Sequence, residues 1–256
     1  MLICGFGLPT DDAGMIPARE FEAIRRSPLL AGVDSRALDI MAGAMTAETW
    51  RRSSQIITPG QTAERFMIIL QGRVKVICSN AQDGRELTLW LLGPGDAFDV
   101  VSLLDGEPHS VSAFALDDVE ILSAPMDVFR QWLERFPPLR KACSSYTAAQ
   151  VRSLTALSAD LALHDTLTRL VRLLIRHYAA GGAAPPHQIN LIRDLPHEEL
   201  AHLVGSVRVV INRLLARLKR LGVVEVGRDG LNVVNLRRLL RLAEEQHPAQ
   251  ARRSGA

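Results

Sequence analysis

Residues 205–220 combine an apolar stripe with an excess of positive charge. The apolar side chains recur at three- and four-residue spacing, as in an amphipathic helix, at Val210, Ile211, Leu214, Leu215 and Leu218. The same segment carries five cations and no acid, which are Arg208, Arg213, Arg217, Lys219 and Arg220. A helix with one buried face and one basic face is typical of a surface that binds an anionic partner.

The net charge of +2 is distributed unevenly along the 256 residues. Residues 1–165 hold 15 Lys and Arg against 21 Asp and Glu, which leaves −6. Residues 166–256 hold 15 against 7, which leaves +8. The sequence therefore predicts a C-terminal domain that binds a polyanion, joined to a domain that does not.

The basic helix is the second of two predicted helices that share a tight turn within 196–220. Ala201 lies where the two helices must approach closely, and Gly205 allows the left-handed backbone that the turn needs. Ile211 then packs back on the first helix. A small residue, a glycine and a β-branched residue at this spacing are typical of a helix-turn-helix motif.

A β-hairpin is predicted directly after this motif. Residues 223–234 contain two short β-rich runs around the turn at 228–230, and 236–246 have the pattern of a last helix. Together with the preceding helices, these elements predict a winged helix-turn-helix domain over 165–256, and the polyanion is then duplex DNA.

In such a domain the second helix enters the major groove with its first residues at the base edges. Arginine pairs with guanine, asparagine pairs with adenine, and an aliphatic side chain touches the thymine methyl group. The predicted DNA contacts are Ser206, Arg208, Val209, Asn212, Arg213 and Arg217. For Arg217, Lys219 and Arg220, phosphate contact and plain solvation both stay open.

The N-terminal half contains short β-rich runs between turn signals. The signals include Pro59-Gly60, Gly72 and Asp83-Gly84. Six or more such runs over 46–125 predict a compact antiparallel sandwich or barrel. Helices are predicted on both sides, over 126–136 and over 17–45, where Asp34 or Ser35 caps a short helix.

A long helix is predicted over 139–163. Its apolar stripe has the seam character of a two-chain coiled coil, at Val151, Leu154, Leu157 and Leu161. A homodimer is favoured because a helix between two domains has little surface of its own chain to cover it, and the alternative is a single helix on its own β-domain. A helix that ends at Gly181-Gly182 and a strand over 187–192 follow.

Composition excludes several classes of protein. No apolar run is long enough to span a membrane, and the N-terminus lacks the features of a secretory signal, so the prediction is a cytoplasmic protein. Cys4, Cys78 and Cys143 are far apart with no CxxC pair, which indicates neither a disulfide framework nor a metal site.

Catalytic motifs are also missing. The sequence has no Gly-rich phosphate loop, no HExxH, no nucleophile elbow and no paired carboxylates at a loop end, so an enzyme is not predicted. Residues 95–102 have the pattern of a turn into a strand, and 227–230 that of a hairpin turn.

The order of β-roll, long helix and winged helix-turn-helix resembles the CRP/FNR superfamily of bacterial transcription regulators. The resemblance covers about residues 20 to 240 and is carried by PGQTAERFMIILQGRVKV at 59–76, GRELTLWLLGPGDAF at 84–98, GEPHSVSAFA at 106–115, and 196–234. It implies an α+β fold with an N-terminal antiparallel β-roll, a jelly roll of the cyclic-nucleotide-binding kind. The implied domains are a flexible N-terminus at 1–19, a β-roll sensor at 20–136, a dimerisation helix at 137–164, and the winged helix-turn-helix at 165–256.

The resemblance also implies partners. The chain would form a homodimer through the helix at 139–163, with a hinge near Asp165, and would bind palindromic double-stranded DNA and RNA polymerase. Its recognition helix, with Val209 after Arg208, is similar to that of the cyanobacterial nitrogen-control branch, whose half-sites contain GTA and TAC.

The effector site departs from that of the cyclic AMP receptor members. Their glutamate of a Gly-Glu pair takes the ribose hydroxyl and their arginine of an Arg-Ser pair takes the phosphate, whereas Asp99-Val100 and His109-Ser110 stand here. Because losing a charged partner for a buried phosphate costs about 2 to 5 kcal/mol, cyclic AMP binding is not expected. The predicted pocket suits a hydrophobic or planar ligand, or none, and comprises Asp99, Val100, Val101, Leu103, His109, Ser110, Leu154 and Thr155.

Two other effector chemistries, an iron–sulfur cluster and haem, occur in the family. An iron–sulfur cluster is not expected, because Cys4 is alone and a four-iron cluster normally takes four thiolates. Carbon-monoxide sensors place haem-ligating Cys and His at positions that match Asp99 and Val101, which leaves His109 as the candidate haem ligand. The prediction is a dimeric, sequence-specific DNA-binding regulator with an effector other than cyclic AMP, or none. The alternatives are a haem-dependent gas or redox sensor and a cyclic-nucleotide-binding regulatory module.

Overall fold

The structure describes part of the N-terminal segment. The computed structural model describes residues 25, 27–30, 32–61, 64–183, 191–227 and 230–245. Cys4 and the predicted flexible segment at 1–19 lie outside these residues, as does the start of the helix predicted over 17–45. The described part of that segment holds two separate pieces, a 3-10 turn at Pro28–Leu30 and helix α1 at Ser35–Gly43. Asp34 caps α1 as predicted, because its Oδ1 accepts a hydrogen bond of 2.9 Å from the backbone N–H of Ala37.

Eight strands form two antiparallel sheets in the N-terminal half, as the turn spacing predicted. They are β1 (Thr46–Trp50), β2 (Gln55–Ile57), β3 (Arg65–Gln71), β4 (Val74–Ser79), β5 (Glu86–Leu92), β6 (Ala97–Phe98), β7 (Ser112–Ala115) and β8 (Val119–Pro125). One sheet has the order β1-β8-β3-β6 and the other the order β2-β7-β4-β5.

Strand β3 lies between two cores. Because side chains alternate along a strand, Phe66 and Ile68 pack with residues of the helices, whereas Met67 and Ile69 pack with residues of the second sheet. All four are at most 5% exposed. The β-roll is therefore a sandwich with one core between its sheets and one under its helices.

The remaining helices follow the predicted order with one addition. They are α2 (Val100–Asp105), α3 (Met126–Arg135), α4 (Pro137–Leu163), α5 (Thr166–Ala183), α6 (His197–Leu203), α7 (Arg208–Arg220) and α8 (Leu236–Glu245). Over 95–102, the predicted turn into a strand occurs as a turn followed by the two-residue strand β6, but from Val100 the chain forms α2 and not a longer strand. Val100 and Leu103 both bury in the core from one face of α2, and Arg130 donates to the carbonyl oxygens of Ser102 and Leu103 at its end.

Two predictions near residue 190 are corrected as well. Helix α5 continues through Gly181 and Gly182 to Ala183, since glycine weakens a helix without forbidding its geometry. Of the strand predicted over 187–192, residues 187–190 lie outside the described part, and 191–194 form turns. In this turn Asp194 lies within hydrogen-bond distance of Arg73 of the β-roll.

Helix α4 runs between the two halves of the molecule. Its 27 residues span about 40 Å. The hydroxyl of Tyr146 joins it to the β-roll, because it accepts from the backbone N–H of Ala97 at 3.1 Å and donates to the carbonyl oxygen of the same residue at 3.2 Å. Only Leu139, Cys143 and Asp160 of α4 are buried.

The C-terminal half is a winged helix-turn-helix, as predicted. Helices α5 to α8 share one core with a hairpin of β9 (Val224–Gly227) and β10 (Gly230–Val233). With the antiparallel β-roll, this makes the chain an α+β protein, which confirms the predicted fold class. No helix among the described residues is long and apolar enough to cross a membrane.

The substitution Gly72→Ala should destabilise the β-roll much more than Gly60→Ala. Both glycines have a positive φ, of +81° and +89°, which costs a residue with a side chain about 1–2 kcal/mol. A Cβ on Gly72 would lie 2.5 Å from the carbonyl oxygen of Asp118, whereas a Cβ on Gly60 would meet no atom within 4 Å. In urea denaturation we expect Gly72→Ala to lose about 2 kcal/mol more unfolding free energy than Gly60→Ala. Equal losses would contradict this packing.

Candidate nucleic-acid interface

The turn between α6 and α7 is tight because Gly205 adopts a left-handed backbone, with a φ of +60°. The backbone N–H of Ser206 donates to the carbonyl oxygen of Ala201 at 2.9 Å, which closes the turn. Ala201 and Ile211 are 1% and 0% exposed and lie in the same core. The three residues that predicted the motif therefore hold its two helices together.

Helix α7 presents one polar face to solvent. Its buried residues are Ile211, Leu214, Leu215 and Leu218. The predicted contact residues on the helix are all exposed, at Arg208, Val209, Asn212, Arg213 and Arg217. Ser206 is half-buried in the turn, and Val209 is 77% exposed. The start of α7 thus offers cations and an apolar side chain on one accessible surface.

Asn212 has a partner within the motif. Its side-chain oxygen forms a hydrogen bond with the ring Nδ1 of His197, the first residue of α6. Pairing with adenine uses both the oxygen and the amide N–H of an asparagine. Asn212 would therefore have to leave His197 to read an adenine, whereas Arg208 and Arg213 form no hydrogen bond or ion pair within the described residues.

Arg73, which directly precedes β4, and Lys75 on β4 bind acidic residues of the C-terminal half. Arg73 donates to both carboxylate oxygens of Asp194, at 2.5 and 3.2 Å, and to the carbonyl oxygen of Leu191. The Nζ of Lys75 lies 2.9 and 3.0 Å from the two carboxylate oxygens of Glu199 on α6. These two contacts, Arg73 with Asp194 and Lys75 with Glu199, are the interdomain ion pairs. They join the β-roll to the first helix of the motif.

Water screens the two interdomain ion pairs unequally. The side chains of Arg73, Lys75 and Glu199 are 13%, 12% and 18% exposed, whereas that of Asp194 is 64% exposed. The hydrogen bond from Arg73 lowers the pKa of Asp194, and hydrogen bonds to Asp117 and Asp194 raise the pKa of Arg73. The second pair is therefore the one that water screens less, and after loss of Glu199 the Nζ of Lys75 would keep Glu86, whose carboxylate oxygen lies 3.3 Å away.

The turn of the motif also contacts α4 and β5. A Cβ on Gly205 would lie 2.6 Å from Cδ2 of Leu161, which shows how closely α4 approaches the turn. The Nδ1 of His202 lies 3.5 Å from a carboxylate oxygen of Glu86 on β5. A cavity of about 870 Å³ separates the β4–β5 hairpin from the start of α7 and reaches Arg208. The position of α7 is therefore set by contacts that α6 and the turn make with the sensor half.

Of the predicted effector residues, Asp99 and His109 come together. Asp99 has a left-handed backbone with a φ of +72°, and its side chain is 1% exposed. Its Oδ1 lies 3.0 Å from Nε2 of His109. A buried carboxylate at this position repels a phosphate group, because the two like charges would meet away from water.

The other predicted pocket residues have different surroundings. Val100 and Leu103 are 1% and 2% exposed and fill the core under the helices. Val101 is half-buried and Ser110 is exposed. On α4, Leu154 is half-buried, and the exposed hydroxyl of Thr155 donates to the carbonyl oxygen of Val151 at 2.9 Å. That these residues form one effector pocket stays a prediction.

The candidate haem ligand His109 contacts Asp99 through its Nε2, and Val101 offers no metal-binding atom. Since a metal-binding histidine commonly gives its other ring nitrogen to a carboxylate, this contact does not exclude haem, and haem binding through His109 stays a prediction. Cys143 is buried in the core, which raises the pKa of its thiol to about 12, and Cys78 is exposed on β4. No group of three or more metal-binding side chains occurs in the part of the chain that the structure describes.

Sequence patterns did not predict the interdomain ion pairs. Their partners are 121 and 124 positions apart in the chain, so no local spacing links them. The one local signal is the alternation of residue type over 73–76, at the start of β4, where Arg73 and Lys75 are charged while Val74 and Val76 bury in the core. A charged outer face on a strand indicates a charged neighbour but does not identify it.

Two family models match the chain. The model of the cyclic nucleotide-binding domain matches residues 47–136, and that of the Crp-like helix-turn-helix domain matches residues 168–242. A β-roll joined by a long helix to a winged helix-turn-helix defines the class of transcription regulators that carry a sensor domain.

Known proteins are similar over most of their length. The chain is 28% identical over 222 residues to the CRP-like cAMP-activated global transcriptional regulator of Mycobacterium tuberculosis, covering 87% of this chain and 99% of that protein. It is 31% identical over 190 residues to the global nitrogen regulator of Synechocystis sp., covering 73% and 84%. The structure of FixK2 from Bradyrhizobium japonicum has a TM-score of 0.66 at 18% identity, over 77% of this chain and 96% of that chain. The chain belongs to the CRP/FNR superfamily of transcription regulators, as its motifs predicted.

Rebuilding the phosphate site should raise the affinity of the chain for cyclic AMP. In the double variant Asp99→Gly and His109→Arg, the repelling carboxylate is gone and a cation faces the phosphate. By calorimetry we expect the affinity for cyclic AMP to rise at least about tenfold, since a hydrogen bond to a charged group contributes about 1.5–3 kcal/mol.

Adenosine is the matched control ligand, because it lacks the phosphate and should gain nothing in the double variant. Tight binding of cyclic AMP to the wild-type chain would show that the Asp99–His109 contact does not block this site.

Proposed function

We propose that the chain is a homodimeric transcription regulator that reads duplex DNA through the exposed face of α7. The observation that carries this proposal is the accessible set of cations at the start of a second helix on a winged helix-turn-helix scaffold. Arg208 and Arg213 pair with guanines, and Val209 contacts a thymine methyl group. The chain acts by binding in the cytoplasm, with RNA polymerase as a further partner, and not by catalysis.

The remaining polar residues of the motif have supporting roles in this proposal. Ser206 and Arg217 contact the DNA backbone and fix the register of the helix. Asn212 shifts from His197 to a base when DNA is bound. Palindromic half-sites about one helical turn apart are matched by the two recognition helices of the dimer.

Loss of a positive charge should affect DNA binding differently at the two ends of α7. Arg213→Ala removes a base contact, so we expect it to cost about 1–3 kcal/mol of binding free energy and to relax sequence preference. Arg220→Ala removes at most a phosphate contact, so it should weaken all sequences alike and reduce the slope of log affinity against log salt by about one.

Fluorescence anisotropy on a palindromic duplex with GTA and TAC half-sites, beside a scrambled duplex, measures both effects. The wild-type chain should prefer the palindrome, and Arg213→Ala should lose that preference. If both variants behaved alike on the two duplexes, the assignment of base and phosphate contacts would be wrong.

The dimer in this proposal forms through α4. Val151 is 56% exposed and Leu163 is 73% exposed, which is unusual for aliphatic residues on a long helix. Leu157 of the predicted stripe lines a cavity together with residues of the C-terminal half, and Leu161 lies against Gly205 of its own chain. The part of the stripe that is open to a second chain therefore centres on Val151 and Leu154.

Substitution at the centre of this stripe should separate the dimer. Leu154→Glu places a charge in the proposed seam, so sedimentation equilibrium should show a monomer, whereas Arg152→Glu on the exposed side should leave a dimer. A monomeric wild-type chain, or a dimer that survives Leu154→Glu, would contradict dimerisation through α4.

The hinge between the halves transmits the signal. Asp165 caps α5, because its Oδ1 accepts from the backbone N–H of Thr168 at 2.8 Å, and this hydrogen bond lowers its pKa. Asp160, 2% exposed on α4, forms ion pairs with Arg172 at 2.6 Å and Arg176 at 2.8 Å on α5. A change in α4 thus moves α5 and, through the shared core, α7. The effector is not cyclic AMP, and it acts only if its affinity differs between two arrangements of the halves.

A further inference from the structure

Four titratable side chains from the two halves of the molecule meet at the contact between the β-roll and α6. Lys75 of β4 and Glu86 of β5 belong to the β-roll, and Glu199 and His202 belong to α6. The Nζ of Lys75 lies 3.3 Å from Oε2 of Glu86 and 2.9 Å from Oε1 of Glu199. The Nδ1 of His202 lies 3.5 Å from Oε2 of Glu86 and 3.6 Å from Oε2 of Glu199. We call these four residues the interdomain cluster.

The interdomain cluster lacks a positive charge when His202 is neutral. Two carboxylates then share one ammonium group, so negative charge is in excess. The side chains of Lys75, Glu199 and Glu86 are 12%, 18% and 30% exposed, so water screens this excess only in part. A proton on His202 supplies the missing charge and balances the cluster.

The ring nitrogen of His202 that faces the carboxylates is cut off from water. Its Nδ1 is buried and forms no hydrogen bond within the described residues. Without a hydrogen, the lone pair of this nitrogen faces two carboxylate oxygens, which repel it. With a hydrogen, the same nitrogen faces them as a donor, and in the protonated ring it also carries positive charge. The contact between α6 and β5 is therefore sensitive to this proton.

Neighbouring charged groups do not take the place of His202. Its side chain is 21% exposed and lines the cavity of about 870 Å³ beside the β4–β5 hairpin, so solvent can exchange its proton. Helix α4 contributes Leu161 to this cavity, and Arg169 of α5 donates to the carbonyl oxygen of Gly205. The other charged residues that line the cavity are Asp83, Arg85, Glu198 and Arg208. Asp83 and Arg85 pair with each other at 3.4 Å, and the other two are exposed.

We propose that His202 is a proton-controlled contact between the halves, whose protonation holds α6 on the β-roll and whose deprotonation weakens that contact. Histidine is the side chain that ordinarily changes charge between pH 5 and 8, whereas carboxylates and lysine keep theirs over this range. The contact is therefore strongest at low pH, where the ring is charged, and weakens as the pH rises. Because α7 follows α6, the arrangement of the recognition helices would change with pH. That consequence rests on the proposed function, whereas the proton-controlled contact does not.

Hydrogen exchange of the full chain at about pH 5.5 and about pH 8 tests the proposal. Each amide rate is divided by the rate of an unstructured peptide at the same pH, which removes the intrinsic effect of pH on exchange. In the wild-type chain, the protection of amides in 191–203 should fall about threefold to tenfold from the lower to the higher pH, because a charge-assisted contact is lost. Protection that is the same at both pH values overturns the proposal.

Two substitutions of His202 separate its charge from its shape. His202→Gln cannot carry a charge, so the protection of 191–203 should be low at both pH values. His202→Lys keeps its charge over the whole range, so the protection should be high at both. If both variants lost protection alike, His202 would act through packing, and the proposal would be wrong.

His197→Gln is the matched control, because it makes the same substitution on the same helix at a residue that pairs with Asn212 of α7. It should keep the pH dependence of the wild-type chain. Glu86→Gln removes the carboxylate that β5 offers to His202, so it should reduce the pH effect at least about twofold, and it decides the question if the variants of His202 do not fold.

A pH effect that His197→Gln abolished and His202→Gln retained would overturn the assignment. If 191–203 responded to pH through His202 but the chain bound no DNA, the proposed function would fail while the proton-controlled contact stood.

Discussion

The position of the recognition helix depends on two cations of the β-roll, one directly before β4 and one on it. Arg73 and Lys75 hold Asp194 and Glu199, and so they fix α6 against the β-roll. The turn at Gly205 is closed by hydrogen bonding to the end of α6, so α7 follows wherever α6 is placed. In a two-fold dimer, these ion pairs, together with the contacts that the turn makes with α4 and β5, would set the separation of the two recognition helices.

The sensor half carries a carboxylate of its own in the region where the cyclic AMP receptor members of the family bind the phosphate of their ligand. Asp99 places a carboxylate beside His109 in the region where the family resemblance locates a cyclic phosphate. The position of Val100 carries no acceptor for a sugar. In the proposed function, an effector other than cyclic AMP therefore controls this chain.

Local patterns predicted the features that local physics decides. The helix-turn-helix followed from Ala201 and Gly205, because a close approach and a left-handed turn restrict residue type at each position. Distant groups decided the features that were missed. Helix α2 begins with two valines, which have a low helix propensity. It forms because its buried face and its hydrogen bonds from the guanidinium of Arg130 outweigh that propensity. Asp194 lies in a turn beside a cation that is 121 positions away.

Selection of bound duplexes from a random-sequence library tests the central claim most directly. We expect enrichment of a two-fold palindrome with half-sites about 10 base pairs apart from centre to centre. Two copies of α7 would then lie in successive major grooves on one side of the DNA double helix. Guanines should occupy the positions nearest Arg208 and Arg213. Enrichment of a single asymmetric site, or of no sequence at all, would contradict the reading of DNA by a dimer through α7.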